Sequence, residues 1–435
     1  MLSRSEQFDP DRAFGWIDFA ARRSVIIAVS GGSDSTALLI AFKHWIEHTH
    51  RNLRIICVTV DHGLRPASAA EARHVATLCA RLGVAHRTCL WVGDKPETGI
   101  AAAAREARYA LLAEAARDEG TDIILTGHTA NDQAETVHMR RARGHHADHP
   151  RGLAGMARMT LFDGEDWIVR PLLDTRRETL RDVLTNHGVE WIEDPTNEDE
   201  NFERVGVRKL LTEDCQLEEL CAAAGDVAGR RTEFAGEAAS LIARHGTLIS
   251  TGLVRLDQDF YGKDTARMDA VRTILACAGG AKQLADRSRA SILMDRLRKG
   301  RSCLSGCLAA RTKDGLHFCR ERRSGGELSF ADGIFDGRYR ISSDAVAAGW
   351  SLQLPDTIDA EVNRKLSPLA LTAAKMEPEL VSPGNSGGPD IARKPQIQRY
   401  LAPFDHFLPE FDLKLAAAAA VMFGRKPYPP PPAGA

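Results

Sequence analysis

Hydrophobic and polar positions over the first 195 residues follow one repeating pattern. Short apolar runs alternate with longer segments whose apolar residues recur at helical spacing. The runs predict strands at Ser24–Val29, Arg54–Val60, His86–Val92, Ile123–Thr126 and Trp167–Arg170. The segments between them predict helices at Thr36–His48, Ser68–Leu82, Ile100–Glu119 and Asn131–Arg141. Buried strands separated by helices predict a doubly wound, parallel α/β sheet, whose ligands bind beyond the carboxyl ends of the strands.

The pattern changes after about residue 210. Leu211–Cys277 is dominated by Leu, Ala and Glu and predicts helices, whereas short runs at Gly315–Arg320 and Gly337–Ser342 predict strands. The chain is therefore expected to continue with a helical domain and a small α+β region.

These shifts predict three parts. An α/β catalytic domain covers residues 1–215, a helical, basic domain covers 216–330, and an α+β region covers 331–435. In the last part, residues 378–395 are rich in Pro, Gly and Ser and predict a flexible loop, and the proline-rich residues 427–435 predict a disordered tail.

Composition and charge restrict the class of protein. The 435 residues are 43% hydrophobic and 27% charged, which is typical of a globular protein in water. No apolar run is long enough to span a membrane, and Met1–Pro10 is not typical of a signal peptide. Nine scattered cysteines favour free thiols in a reducing cytoplasm. The net charge of −2 does not exclude a nucleic-acid partner, because it hides local basic segments.

A loop rich in glycine and serine joins the first strand to the first helix. Adjacent glycines let the backbone approach a ligand closely, and the start of the following helix favours an anion. The serine hydroxyls add donors for phosphate oxygens, and the carboxylate of Asp34 suits Mg²⁺. The residues predicted to bind the nucleotide are Ser30, Gly31, Gly32, Ser33, Asp34 and Ser35.

The loop differs from the GxxxxGK[ST] loop of kinases and GTPases, because it has no lysine for a departing γ-phosphate. It suits the loss of the β- and γ-phosphates together as pyrophosphate; the alternative is a serine-glycine turn before an ordinary helix. S-G-G-S-D-S resembles the signature of the PP-loop group, the N-type ATP pyrophosphatases. That resemblance implies an adenine nucleotide α hydrolase-like, Rossmann-like fold and transfer of AMP from ATP, without choosing the acceptor.

Further motifs narrow the choice of acceptor. They are D-H-G-L-R at 61–65, A-R-E-A-R-Y at 104–109, G-H-T-A-N-D-Q-A-E-T at 127–136, R-P-L-L at 170–173, W-I-E-D-P-T-N at 191–197, and Arg204 with Arg208. This ordered set covers about residues 24–210 and resembles the tRNA(Ile)-lysidine synthetase family. Asn131 stands where that family usually has the first of two acids, and Asp132 retains the second.

The resemblance implies a ligase that uses ATP and Mg²⁺. The O2 atom of the wobble cytidine in a tRNA(Ile) with a CAU anticodon attacks the α-phosphate, and pyrophosphate leaves. The side-chain amine of L-lysine then displaces AMP from C2 to give lysidine, which pairs with A. Water must be excluded because it competes with lysine.

Four residues are predicted to act with the loop. His62 and His128 follow strand ends, where the nucleotide is expected; His62 is predicted to bind it and His128 to be catalytic. Arg105 is preferred to Arg108 for stabilising phosphate charge. Asp132 is predicted, with Asp34, to be catalytic and to hold Mg²⁺ or orient the amine.

Each assignment has a structural alternative. His62 can simply end a strand, and Arg105 or Arg108 can belong to a solvated helix face. Asp132 can be an acid that stabilises the start of a helix. Glu135, one turn further along, is interpreted as a bystander.

Two basic segments predict contact with tRNA; a solvated charged face is the alternative. Lys282–Arg323 holds twelve Lys or Arg and four Asp or Glu, an excess of eight positive charges. A second segment comprises Arg140, Arg141, Arg143 and Arg151. The spacing of Cys303, Cys307, His317 and Cys319 is poor for zinc, which favours incidental thiols, and His145, His146 and His149 indicate an exposed or RNA-facing loop.

Three other functions are considered. A tRNA thiolation enzyme is expected to have paired cysteines, and Cys57, Cys79 and Cys89 form no CxxC pair. An amidotransferase-type synthetase needs a glutaminase nucleophile or a partner subunit, and Leu2 rather than a cysteine follows Met1. A non-catalytic tRNA-binding protein is disfavoured by the intact S-G-G-S-D-S loop.

Overall fold

A computed structural model of the chain describes residues 7–49, 51–144, 150–193, 203–211, 214–322, 328–355, 357–358, 364–382 and 394–434. The chain divides into two compact units: unit 1 is Met1–Arg231 with Pro430–Ala435, and unit 2 is Thr232–Pro429. The three-part division at residues 215 and 330 stays a prediction.

Unit 1 is built on a mostly parallel sheet, which confirms the predicted α/β class. Its strands are β1 (Ser24–Ala28), β2 (Arg54–Asp61), β3 (Ala85–Leu90), β4 (Ile123–Thr126), β5 (Met159–Phe162) and β6 (Asp166–Val169). Within the unit they are hydrogen-bonded in the order β5-β6-β4-β1-β2-β3. The pairing of β5 with β6 is antiparallel, and the other four pairings are parallel. The sequence analysis did not predict β5.

Helices lie before, between and after these strands. They are α1 (Pro10–Phe14), α2 (Ser33–His48), α3 (Ser68–Leu82), α4 (Ile100–Asp118), α5 (Ala130–Ala142), α6 (Arg177–Asn186), α7 (Glu203–Leu210) and α8 (Asp214–His245), with a 3-10 turn at Pro150–Ala154. The central strand β4 is buried throughout and β1 almost so, because the helices cover both faces of the sheet. Since β4, β1 and β2 are adjacent and parallel, the segments that follow them meet at one edge of the sheet.

Unit 2 contains an antiparallel sheet in the order β7-β8-β11-β10-β9. These strands are β7 (Gly246–Ser250), β8 (Leu253–Leu256), β9 (Arg301–Leu304), β10 (Cys307–Thr312) and β11 (Gly315–Arg320). The helices α9 (Thr265–Gly279) and α10 (Arg287–Leu297) pack against it. The remaining helices are Ser343–Ala347, Pro368–Ala374 and Leu413–Met422, and the remaining strands are Phe330–Ala331, Ile334–Phe335, Tyr339–Arg340, Ser351–Gln353, Glu379–Val381, Gln398–Arg399 and Phe407–Pro409.

Two local predictions were wrong. Leu211–Cys277 is not entirely helical, since it contains the hairpin of β7 and β8; β7 is an edge strand whose central side chains are exposed, so it shows no alternation of apolar and polar residues. Within unit 2, the Arg425 guanidinium donates to the Tyr428 hydroxyl at 3.1 Å, and Tyr428 donates to Asp405, so residue 428 of the predicted disordered tail is buried and bonded.

The last residues of the tail belong to unit 1. Ala433 forms an antiparallel β-bridge with Ile17, and the Gly434 N–H donates to the Trp16 carbonyl at 2.8 Å. In the predicted loop at 378–395, residues 383–393 lie outside the described residues. Of the helices in the described ranges, none has both the length and the apolar character needed to cross a bilayer.

Candidate active site

The loop Ser30–Ser35 leads from β1 directly into the first turn of α2. Gly31 has φ of +92°, a left-handed conformation that glycine adopts without strain. The hydroxyls of Ser30 and Ser35 lie 3.2 Å apart, which draws the two ends of the loop together. The positive end of the α2 dipole therefore faces the same space as the loop and favours an anion there.

Two segments distant in sequence hold this loop. The Ile192 N–H donates to the Gly31 carbonyl at 2.9 Å, and a Cβ on residue 31 would lie 2.7 Å from the Ile192 side chain. Gly127, which follows β4, packs against the backbone of Ser35. The motif at 191–197 is thus a support of the loop, although residues 194–197 lie outside the described part of the chain.

Asp34 and Asp132, the two predicted carboxylates, are joined by Arg177, the first residue of α6. The Arg177 Nε donates to Asp34 Oδ2 at 2.8 Å, and Nη2 donates to Asp132 Oδ1 at 3.3 Å. All three side chains are less than one-fifth exposed. The structure therefore brings the acid of the loop and the acid of α5 to one cation.

Burial raises the pKa of Asp34, and the positive charge of Arg177 opposes that rise. For Arg177 the opposite balance holds: burial lowers its pKa, but Asp34 and Asp132 outweigh burial and raise it. The guanidinium is therefore charged at neutral pH and stabilises the ionised form of Asp34.

Asp132 also stabilises the start of α5. Its Oδ2 accepts hydrogen bonds from the backbone N–H and the hydroxyl of Thr129, each at 2.9 Å, which forms a capping box. Asp132 therefore has both predicted roles: it stabilises the start of a helix, and it belongs to the site. The neighbouring Asn131 Oδ1 accepts the Arg177 backbone N–H at 2.9 Å and caps the start of α6. That role needs an acceptor oxygen and no charge, so an amide can serve where the family usually has an acid.

Glu135 belongs to the same ion network, although the sequence analysis interprets it as a bystander. Its side chain is 2% exposed, and its Oε1 accepts from Arg208 Nε at 3.0 Å and lies 3.7 Å from Arg177 Nη1. A buried carboxylate requires such partners. The side chain of Arg204, the other arginine of that pair, lies outside the described part of the chain.

The two predicted histidines line one cleft with the acids. His62 packs edge-on against the Trp91 ring, with ring centres 5.9 Å apart, and its Nδ1 is buried with no hydrogen-bond partner among the described residues. Burial, and next the charge of Arg108, lower the pKa of His62, so the ring is neutral at pH 7. His128 Nδ1 lies 3.0 Å from the Thr126 hydroxyl.

Arg108, and not the preferred Arg105, lines the cleft. Arg105 is exposed on α4, and its guanidinium lies 5.0 Å from the centre of the Tyr109 ring. Arg108 is half-buried, and its Nε is buried with no hydrogen-bond partner among the described residues. The placement thus favours Arg108 as the arginine that meets a phosphate.

The cleft has a volume of about 700 Å³ and opens at the carboxyl ends of the strands. Among the described residues, no group of three or more His, Cys, Asp or Glu is placed to hold a metal ion by itself. A protein site for Mg²⁺ typically supplies one or two carboxylates, and phosphate and water oxygens complete the coordination. The two acids beside the anion-binding loop fit such a site. The site residues within the cleft are Asp34, His62, Arg108, His128, Asp132 and Arg208.

The predicted basic segments differ in how exposed they are. In unit 2, Arg298 is exposed and its Nε donates to the Tyr261 hydroxyl at 3.0 Å, while the Arg311 guanidinium lies 4.9 Å from the centre of the same ring. Arg320 is buried and bonds Asp336, so it is not part of a surface.

In unit 1, the second basic segment is a cluster of arginines. Arg140 donates to the carbonyls of Gly152 and Gly155 at 2.6 and 3.0 Å. Burial, and next the charge of Arg231, lower the pKa of Arg140. Arg105 and Arg143 lower the pKa of Arg140 as well, so these four arginines form one cluster of positive charge. The three histidines at 145, 146 and 149 lie outside the described residues.

Comparison with known proteins agrees with this geometry. The PP-loop domain family matches residues 9–215. A tRNA(Ile)-lysidine synthase from Mesorhizobium japonicum is 45% identical over 454 aligned positions, which cover 98% of each chain. The synthase of that name from Rhizobium meliloti is 36% identical and covers 95% of this chain and 94% of its own. The one from Brucella canis is 35% identical and covers 93% of this chain and 95% of its own.

Proposed function

The chain belongs to the tRNA(Ile)-lysidine synthase family, and we propose that it ligates L-lysine to C2 of the wobble cytidine of a tRNA(Ile) with a CAU anticodon. The reaction forms a carbon–nitrogen bond and splits ATP into AMP and pyrophosphate. The observation that carries the proposal is the loop Ser30–Ser35 at the start of α2, with Asp34 and Asp132 on one cation beside it. We propose the cytoplasm as the location of this reaction, because tRNA and ATP are both present there.

The residues of the cleft are assigned roles within this reaction. The loop and the α2 dipole hold the β- and γ-phosphates, and Arg108 stabilises the charge that develops at the α-phosphate. Asp34 and Asp132 are proposed to hold Mg²⁺, which neutralises phosphate charge when it is bound. His62, neutral and without a hydrogen-bond partner among the described residues at Nδ1, is proposed to bind the nucleotide.

Two bonds form and two break. The cytidine O2 attacks the α-phosphorus, and the bond to pyrophosphate breaks. The lysine side-chain amine then attacks C2, and the C2–O2 bond breaks as AMP leaves. The lysine ammonium must lose one proton before it attacks and a second as the carbon–nitrogen bond forms, and Asp132 is proposed to receive or orient these protons. His128, beside the Thr126 hydroxyl, is proposed to act at the same step.

The exposed arginines of both units are proposed to contact the tRNA backbone. A protein that neutralises phosphates needs such basic surface, and the affinity must fall as salt rises. Arg105 is exposed near the cluster of Arg140, so it is proposed to contact tRNA and not to act in the cleft.

Incubation with labelled lysine, ATP and total tRNA tests the proposal. We expect lysine in the tRNA fraction, stable to mild base because the product is not an ester, together with AMP and pyrophosphate. Binding of ATP without transfer of lysine would contradict it and support a non-catalytic tRNA-binding protein.

A further inference from the structure

One guanidinium occupies the point at which the two site acids face each other. Arg177 holds Asp34 Oδ2 and Asp132 Oδ1. The other oxygen of each acid also accepts a hydrogen bond: the Ser33 hydroxyl donates to Asp34 Oδ1 at 3.1 Å, and Thr129 donates to Asp132 Oδ2. The oxygens that face a shared cation are therefore the ones that Arg177 already holds.

We infer that Arg177 is a positioning residue that serves as a built-in counter-cation and is displaced when a divalent metal enters with ATP. A guanidinium and a divalent ion cannot bind the same two oxygens, because their charges repel and Mg²⁺ needs contacts of about 2.1 Å. The exchange deepens the proposed function, since it concerns how the same site takes up its nucleotide.

The surroundings of Arg177 suit a movement of the side chain alone. Its backbone N–H is fixed by Asn131 Oδ1, so α6 stays capped when the guanidinium leaves the acids. The released guanidinium has planar donors that match phosphate oxygens, which arrive with the metal. The guanidinium thus pairs with carboxylate oxygens before the nucleotide binds and with phosphate oxygens afterwards.

A second consequence concerns the metal without its nucleotide. Two ionised carboxylates in a partly buried site attract a divalent cation, and Arg177 competes for them. The wild-type protein should therefore bind free metal weakly, so that metal and ATP enter together. Removal of the guanidinium should expose the metal site in the absence of ATP.

The experiment uses Mn²⁺ as the probe, with the full chain and no ATP, and counts free Mn²⁺ by electron paramagnetic resonance. We expect Arg177→Met to bind Mn²⁺ at least about tenfold more tightly than the wild type, because the competing charge is gone. The added change Asp132→Asn should return the affinity to the wild-type level. Arg176→Met is the matched control: its guanidinium pairs with Glu218, and the Mn²⁺ affinity should not change.

Mn²⁺ affinity in Arg177→Met equal to or weaker than that of the wild type would overturn the inference. If circular dichroism shows that this variant does not fold, Arg177→Lys carries the test, because a point charge holds only one of the two acids well. We then expect Arg177→Lys to bind Mn²⁺ more tightly than the wild type, and an unchanged affinity would overturn the inference. Transfer of lysine by the wild type is measured separately, so failure of the proposed function is recognised independently.

Discussion

Gly127 lies so close to Ser35 that a Cβ on residue 127 would come within 2.9 Å of both the Cα and the backbone nitrogen of Ser35. The end of β4 and the phosphate loop can meet only because residue 127 has no side chain. We expect Gly127→Ala to push the loop away from β4, to weaken ATP binding by about tenfold or more, and to lower the free energy of unfolding by about 1–3 kcal/mol.

Isothermal titration with ATP and urea denaturation check this prediction. The matched control is Gly225→Ala in α8, where an added Cβ meets no atom within 4 Å. That change should leave ATP affinity unaltered and should stabilise the helix slightly. Wild-type ATP affinity in Gly127→Ala would contradict the close approach.

The two arginines of α4 should differ in their effect on catalysis. Arg108 lines the cleft and Arg105 is exposed, so Arg108→Ala should lower the rate of adenylation by about 100-fold. Arg105→Ala should lower it much less and should instead weaken tRNA affinity. Single-turnover release of pyrophosphate, measured beside tRNA filter binding, separates the two. An equal loss of adenylation in both variants would count against the assignment of Arg108.

Asp166 should make stability depend on pH. Its side chain is almost fully buried, its Oδ2 has no hydrogen-bond partner among the described residues, and burial raises its pKa to about 7. An unfolded aspartate has a pKa of about 3.9, so the folded state binds more protons between these values. Stability from this group is therefore present near pH 4 and is lost as the pH rises through about 7.

Asp166→Asn removes that titration. We expect a free energy of unfolding close to that of the wild type near pH 4.5 and about 1–3 kcal/mol higher than the wild type at pH 8. Urea denaturation at both pH values measures the difference. Glu190→Gln, at an exposed carboxylate that does not act on the pKa of Asp166, should keep the wild-type pH profile. A wild-type pH profile in Asp166→Asn would show that residue 166 does not cause the pH dependence of stability.

The exposed basic residues at the end of α10 should matter for RNA and not for ATP. Replacement of Arg296, Arg298 and Lys299 by Glu should weaken tRNA binding by about 10- to 100-fold near 150 mM salt and reduce the salt dependence of affinity. A control of equal charge change replaces Lys365, Lys394 and Lys414, which are also exposed in unit 2. Equal losses in both triple variants would indicate a general effect of net charge.

The sequence predicts the strands and helices at the centre of unit 1 well, because each of them is encoded by a short-range pattern of hydrophobic residues. β4 at Ile123–Thr126 and α3 at Ser68–Leu82 have the predicted bounds, since buried strands and amphipathic helices repeat at fixed short periods. Asp34 and His62 are predicted as site residues because they lie in the segments that follow β1 and β2. β5 and β7 are missed. β5 forms an antiparallel pair with β6 with no helix between them, so it lies outside the alternation of strands and helices, and the central side chains of β7 are exposed.

The contacts that complete the site are not local, so no short pattern reveals them. Arg177 bonds Asp34 across 143 positions of sequence, and Ile192 reaches Gly31 from a comparable distance. The one available signal is the motif R-P-L-L at 170–173, which lies just before Arg177. The choice between Arg105 and Arg108 depends on how α4 is turned about its axis against the sheet, which their spacing of three residues leaves open.

The bridge between Ile17 and Ala433 has a consequence for the order in which the protein is assembled. Ala433 leaves the ribosome after the whole of Thr232–Pro429, so the segment around Ile17 has no β partner until unit 2 has been synthesised. A chain released at Arg231 has the phosphate loop and its acids but lacks this backbone pairing. Synthesis of unit 2 and of the segment that follows it, and not only of the catalytic residues, is therefore a condition for the bridge that closes unit 1.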